Sequence, residues 1–288
     1  MTASILWRFS RPHTIIGSTL SIIVLFLLQG GSVFTHWYIL VVTLISALAC
    51  NVCITGLNQV IDVELDKINK PELPIASGEL DANSAKKIVL ASGIIALAAA
   101  ALLHWLLLLL IVVILFLGIA YSLPPIQFKK HHLPAALSIT IVRGVLVNLG
   151  MALHFSGMLD ASYTIEPVVY PLTLFISAFS LAIAWYKDLP DRAGDAHFGY
   201  RTFPLLYSPK IALYWGAALV TAAYAFCIYW SFQESEPLLL LSLSALGLAF
   251  LILVRTVRLD DQTSVKRFYK LFWVFFFATY LSFLWVLV

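Results

Sequence analysis

Nine apolar runs, each long enough to cross a bilayer, leave this chain little choice of fold. A membrane-spanning helix needs about 20 mostly apolar residues. Such runs lie near 14–29, 38–60, 85–103, 105–121, 134–154, 167–186, 209–231, 237–254 and 268–288. The third and fourth form one stretch too long for a single crossing. The pair His104-Trp105, polar and suited to an interface, marks the break between them. At 61% hydrophobic and 11% charged residues, the 288-residue chain is no soluble globular domain. The expectation is an all-α, polytopic membrane protein of nine transmembrane helices, forming a single membrane-embedded domain over 1–288. The segment MTASILWRFSRPH runs straight into the first span with no small-residue cleavage site. Neither a signal peptide nor an Arg- and Ser-rich transit peptide is expected.

The basic residues test the span count independently. All of the 18 Lys and Arg except Arg143 and Lys270 fall at the N-terminus or in the second, fourth, sixth and eighth connections. By the positive-inside rule the N-terminus and the even loops are cytoplasmic and the C-terminus lies on the other side. Nine spans give this alternation; eight or ten would break it.

The second span ends in Asn58, Asp62 and Asp66, each four residues from the last. On a helix that spacing stacks three oxygen-bearing side chains on one face. Like charges at i,i+4 repel, and a divalent cation between them would turn repulsion into attraction. Mg²⁺ takes hard oxygen ligands, usually one or two carboxylates plus substrate phosphates. A solvated acidic helix end is the bland reading. The sixth loop, KDLPDRAGDAHFGYRTFP, carries Asp188, Asp191 and Asp195 on the same predicted side of the membrane. If the helix continues past Pro190, these also share a face. Two matched clusters argue for a Mg²⁺-diphosphate site over solvated loops.

Cations that such a site needs lie close by: Lys67 and Lys70 beside the first cluster, Lys187, Arg192 and Arg201 around the second. Lys129 lies in the YSLPPIQFKK stretch that begins at Tyr121. Fixed cations stabilise the negative charge that develops on a departing diphosphate. Each could equally hold a loop in the cytoplasm. Arg143 is different, because it lies mid-span in ITIVRGVLVNLG, where an ionisable group is expensive unless paired or wet. Asn148 and Asn51, also inside spans, suggest a polar pocket running from the cytoplasmic face into the bundle. His13, after Arg11-Pro12, is a candidate for its border. His36, His104, His131, His132 and His154 are expected at interfaces without function. Cys50, Cys53 and Cys227 fall in apolar runs and read as packing residues. No H-E-x-x-H, Walker A or G-x-S-x-G pattern occurs, which removes zinc hydrolysis, P-loop and serine-hydrolase chemistry.

With Asn58-x-x-x-Asp62-x-x-x-Asp66 and the second aspartate triplet, the chain resembles the UbiA superfamily of intramembrane prenyltransferases. The stretches WRFSRPHTIIGSTLS, GLNQVIDVELDKINKPELPIASGEL, YSLPPIQFKK, VRGVLVNLG and KDLPDRAGD resemble its homogentisate prenyltransferase branch. The resemblance implies nine helices around a central cavity whose cytoplasmic mouth carries both motifs. Mg²⁺ would be held by Asn58, Asp62, Asp66, Asp188, Asp191 and Asp195. Asp62, Asp66, Asp191, Asp195 and Arg143 would serve catalysis. His13, Asn51, Lys67, Lys70, Tyr121, Lys129, Asn148, Lys187, Arg192 and Arg201 would surround the substrates. The implied partners are a prenyl diphosphate (phytyl diphosphate foremost), an aromatic acceptor such as homogentisate, and the lipid bilayer. Neither nucleic acid nor an obligate protein partner is expected. The implied reaction is phytyl transfer with decarboxylation, in tocopherol or prenylquinone biosynthesis, in a cyanobacterial membrane. The alternatives are another acceptor (4-hydroxybenzoate, dihydroxynaphthoate or chlorophyllide) or, outside enzymes, an ion-coupled transporter.

Overall fold

In the computed structural model, which describes residues 2–288, every long apolar run is a helix. Hydrocarbon offers no water to backbone polar groups, so a helix that satisfies them internally is the favoured solution. In chain order the helices are α1 (Ala3–Phe9), α2 (Pro12–Leu28), α3 (Trp37–Ile61), α4 (Val63–Asn69), α5 (Ala82–Leu103), α6 (Trp105–Ser122) and α7 (His132–Thr140). A π-helical segment, Ile141–Gly150, joins α7 to α8 (Met151–Leu159). Then follow α9 (Val169–Tyr186), α10 (Arg192–His197), α11 (Phe203–Leu206), α12 (Pro209–Gln233), α13 (Pro237–Arg255) and α14 (Gln262–Ser282).

Among the described residues, eight helical stretches are long and apolar enough to cross a membrane. Two of them are composite: His132–Leu159 through the π segment, and Gln262–Leu287. The bent pair α1–α2, turned by 74°, supplies the ninth. The expected nine spans therefore correspond to nine structural units. Arg11 takes the turn at φ 55°, and Pro12 opens α2, where its missing N–H costs nothing. The expected break at His104 is present as an extended residue (φ −162°, ψ 139°) between α5 and α6.

An aromatic core closes the half of the bundle built from α9, α12, α13 and α14. Phe179 stacks on Phe272 with centroids 3.9 Å apart, and Phe175, Tyr224 and Phe250 pack around them. The other half rests on α3 packed along α5 and α6. Gly144 brings the π segment against α9, since a Cβ there would lie 2.4 Å from the Ser177 hydroxyl. Small residues permit such close helix approach in membranes.

One expectation needs correction. The helix does not run on past Pro190: α9 stops at Tyr186, and Lys187–Asp191 form turns before α10. Proline disfavours a helical residue before it and would clash with the carbonyl four back. The shared helical face of Asp188, Asp191 and Asp195 is therefore replaced by a turn and a short helix. His154 is fully buried beside the α5–α6 break, with Thr43 Oγ1 at 3.0 Å and His104 Nδ1 at 3.2 Å. The three cysteines are free and buried, as packing residues are.

Candidate active site

The first motif keeps its register although the helix is interrupted at Asp62 (φ −97°, ψ 19°). Amides of Asp62, Asp66 and Lys70 donate to the carbonyls of Asn58, Asp62 and Asp66 at 2.9, 2.7 and 2.7 Å. The i→i−4 ladder thus carries Asn58, Asp62, Asp66 and Lys70 on one line through the α3–α4 junction. Asn58 Nδ2 donates to Asp62 Oδ2 at 2.8 Å. In the second motif Asp188 and Asp191 lie in the turns after α9 and Asp195 in α10. Asp62, Asp66, Asp188, Asp191 and Asp195 are all buried, none more than 8% exposed. That excludes solvated acidic loops.

Residues next to the first motif reach across to the second. Lys70 forms an ion pair with Asp191. Asn69 donates from Nδ2 to Asp195 Oδ1 at 3.3 Å, while its Oδ1 accepts the Gly194 amide at 3.0 Å. Gly194 is required there, because a Cβ would meet Asn69 Oδ1 at 2.4 Å. Lys129 Nζ lies 2.5 Å from Asp62 Oδ1, and both are buried. Lys187 pairs with Asp188 at 2.5 Å and feels the Tyr121 hydroxyl beside it. Lysines thus neutralise Asp62, Asp188 and Asp191, and Asp66 and Asp195 make no ion pair among the described residues. No group of three described His, Cys, Asp or Glu side chains already converges as a metal cage.

Burial dominates the titration of this mouth. It pushes Asp66 up to about 6, with Asp62 and Asp191 adding to the shift and Arg11 and Lys70 opposing it. Asp195 rises to about 7 through burial and the charge of Asp188, against Lys187. Burial lowers Lys129 although Asp62 pulls the other way. For Lys187, burial is outweighed by Asp188 and Tyr121, and the ammonium is held above its usual range.

Other expected residues are placed as follows. His13 stands edge-on to Trp273, centroids 4.8 Å apart, and Arg143 lays its guanidinium over Trp273 (4.8 Å) and Phe276 (5.5 Å). Asn51 is engaged with α2, donating to Ser18 Oγ at 2.9 Å and accepting from Thr14 Oγ1 at 3.0 Å. Asn148 donates to the carbonyls of Arg143 (3.0 Å) and Gly144 (2.7 Å) and accepts from the Tyr280 hydroxyl (2.8 Å). Lys67 pairs with exposed Glu64, and Arg192 donates to the carbonyls of Leu189 and Leu259. Arg201 is exposed and lines a separate hollow of about 250 Å³ with His131, His132 and Leu206. Of the expected residues, then, Lys70, Lys129, Lys187 and Tyr121 join the carboxylates, and His13 and Arg143 lie along the aromatic wall of α14. Asn51 and Asn148 serve helix packing, whereas Lys67, Arg192 and Arg201 face elsewhere.

Sequence reasoning missed three residues. Arg11 points its guanidinium at Asn58 Oδ1, 3.5 Å away, and its Nε is buried without a hydrogen-bond partner among the described residues. Asn69 carries the inter-motif bridge. Tyr200 donates its amide to the Asp195 carbonyl at 2.8 Å, and its phenol is raised by burial and by Asp62 and Asp195. Arg11 was legible as a cation leading into the first span; nothing in the sequence marks Asn69 or Tyr200.

Residues 18–279 match the UbiA prenyltransferase family. The chain is 38% identical to homogentisate phytyltransferase of Synechocystis sp., over 97% of this chain and 94% of that protein. It is 34% identical to homogentisate phytyltransferase 1 of Arabidopsis thaliana, over 96% of this chain and 73% of that protein. A UbiA homologue from Aeropyrum pernix K1 shares the fold at TM-score 0.74 and 20% identity, covering 96% of this chain and 98% of that one. A UbiA homologue from Archaeoglobus fulgidus, bound to DMAPP and Mg²⁺, superposes at TM-score 0.64 and 18% identity, covering 95% and 98%. With its helical membrane bundle and two facing aspartate motifs, the chain belongs to the UbiA prenyltransferase family.

Proposed function

We propose that this protein transfers a phytyl group from phytyl diphosphate to homogentisate, with loss of the acceptor's carboxylate. The observation that carries the reading is the meeting of two buried aspartate motifs, bridged by Lys70–Asp191 and Asn69–Asp195. The likeness to homogentisate phytyltransferases over nearly the whole chain supports donor and acceptor.

The donor set fits Mg²⁺. Asn58 and the five aspartates offer hard oxygens, and Asp66 and Asp195 are buried carboxylates that form no ion pair among the described residues. Asn58, Asp62 and Asp66 on one side and Asp188, Asp191 and Asp195 on the other would hold it. Bound there, Mg²⁺ would neutralise diphosphate oxygens and make diphosphate a better leaving group. Lys70, Lys129, Lys187 and Arg11 stabilise the same developing charge from fixed positions. The C1–O bond breaks with its electron pair leaving on diphosphate, and the apolar bundle shields the allylic cation from water. The electron-rich ring carbon of the acceptor then forms the new C–C bond. The ring proton lost is matched by the proton taken up when the side chain releases CO₂, leaving a methyl group. Another aromatic acceptor would use the same mouth. An ion-coupled transporter is not retained, since the carboxylates gather at helix ends rather than mid-bundle.

The distribution of Lys and Arg supports a cytoplasmic mouth and N-terminus, with the C-terminus opposite, and the Synechocystis relative supports a cyanobacterial membrane. A cysteine introduced at exposed Lys86 should react with an impermeant maleimide only from the cytoplasmic side.

The test is transfer by reconstituted protein with labelled homogentisate, Mg²⁺ and, separately, phytyl, geranylgeranyl or solanesyl diphosphate. A lipophilic labelled product, formed fastest with phytyl diphosphate and abolished by EDTA, is the expected result. No product with any donor would reject homogentisate as the acceptor.

A further inference from the structure

Arg143 is a cation inside the bundle without a counter-ion. It forms no ion pair among the described residues, and its Nε is buried without a hydrogen-bond partner. An unpaired charge at this depth is costly, and such residues mark ligand sites in membrane proteins. Its surroundings are aromatic rather than anionic. The guanidinium lies over Trp273 and Phe276, Tyr269 and Tyr280 flank it, and His13 closes on Trp273. Among the described residues no aspartate of the mouth forms an ion pair with Arg143.

The backbone behind Arg143 is held as a positioned site would require. It belongs to the ten-residue π segment, a form rare in helices and frequent at functional sites. Asn148 pins that segment through the carbonyls of Arg143 and Gly144 and is itself fixed by Tyr280. Gly144 locks it against Ser177.

We infer that Arg143 binds the carboxylate of the aromatic acceptor while Trp273, Phe276 and Tyr269 pack its ring, so that the site selects aromatic acids over neutral phenols. The inference rests on the function proposed above and goes further by assigning the acceptor's anionic group to one residue. A guanidinium fork matches one carboxylate in two parallel hydrogen bonds. A diphosphate is better served by the mouth, where Arg11, Lys70, Lys129 and Lys187 collect around hard oxygens. A monoanion on a planar ring suits one cation set among aromatic faces.

The experiment measures binding of homogentisate and of its methyl ester by calorimetry, for wild type, Arg143→Gln and Arg143→Lys in detergent or nanodiscs. Wild type should prefer the acid by roughly 30-fold or more, the value of a charge-assisted bidentate pair. Arg143→Gln should bring acid and ester to near-equal affinity, and Arg143→Lys should fall between, its ammonium lacking the fork. The KM for prenyl diphosphate should stay within about threefold of wild type, since uniform binding of the donor is untouched. Arg143→Lys keeps a charge and carries the test if Arg143→Gln does not fold. A wild type without acid preference, a variant that keeps it, or a variant whose diphosphate KM rises instead would each overturn the assignment. Wild-type turnover of homogentisate is scored separately. Its absence rejects the proposed acceptor, whereas the acid-to-ester binding ratio judges Arg143.

Discussion

Lys70, the residue that ends the line Asn58-Asp62-Asp66, forms its ion pair with Asp191 of the other motif, 121 positions away in sequence. The pair lets the first motif position the second, and it sets a cation between two carboxylate clusters. Removing either partner leaves a partly buried charge uncompensated, which costs more than the pair itself contributes. Lys70→Ala and Asp191→Ala should each lower kcat/KM for prenyl transfer by about 100-fold or more, the scale on which a preorganised charge acts. Lys70→Arg should retain part of the activity. Steady-state kinetics at saturating Mg²⁺ would check this, and near-wild-type turnover in Asp191→Ala would remove the metal-site reading altogether.

Asp66 at about 6 and Asp195 at about 7 give the protein a definite pH signature. Both values lie above the ordinary carboxylate value of 3.8, so at these two carboxyls the folded state holds more protons than the unfolded state between roughly pH 4 and pH 7. Their contribution to stability without divalent ion should therefore fall as pH rises through that window. Mg²⁺ requires the ionised carboxylates, so its affinity should rise over the same range as protons are released. Thermal unfolding in detergent at pH 5, 6, 7 and 8, with and without Mg²⁺, for wild type and an Asp66→Asn/Asp195→Asn double variant, reads both trends. The gain from Mg²⁺ should be larger at pH 8 than at pH 5; a pH-independent gain would contradict the assignment.

Gly194 and Asn69 offer a test of the bridge that leaves every aspartate in place. A methyl group at Gly194 would sit 2.4 Å from Asn69 Oδ1 and displace the side chain that donates to Asp195. Gly194→Ala and Asn69→Ala should each reduce turnover by about tenfold, in the range a misplaced catalytic geometry produces, while the protein still elutes as wild type. The half-saturating Mg²⁺ concentration should rise in both, which separates a lost metal geometry from general damage.

Much of this architecture was legible because its causes are local. Hydropathy sets the spans, and the extended His104 falls where a polar residue interrupts an apolar run. The first motif was legible because the i→i−4 ladder survives the interruption at Asp62. The second was legible only as composition, since Pro190 breaks the helix that would have aligned its aspartates. The bridges through Lys70 and Asn69 depend on long-range packing that no local spacing encodes. The partners of Asn51 and Asn148 were not legible for a related reason. A polar residue in a membrane helix can serve a ligand or a neighbouring helix, and these two serve α2, α14 and the π segment.

Asn148 turns that distinction into a measurement. Its amide satisfies two carbonyls of the π segment, and its oxygen accepts from Tyr280 on α14, all at a fully buried position. A hydrophobic replacement such as Asn148→Leu removes the second donor from both carbonyls and strands the Tyr280 hydroxyl in an apolar environment, where a stranded buried group costs about 1–3 kcal/mol. Asn148→Leu should therefore lower the melting temperature by several degrees, whereas a charge-neutralised Arg143→Gln should leave it near wild type and change acceptor recognition instead. Tyr280→Phe removes only the donor and should be milder than Asn148→Leu. Equal melting temperatures for Asn148→Leu and wild type would mean that the π segment is held by Gly144 and Ser177 alone.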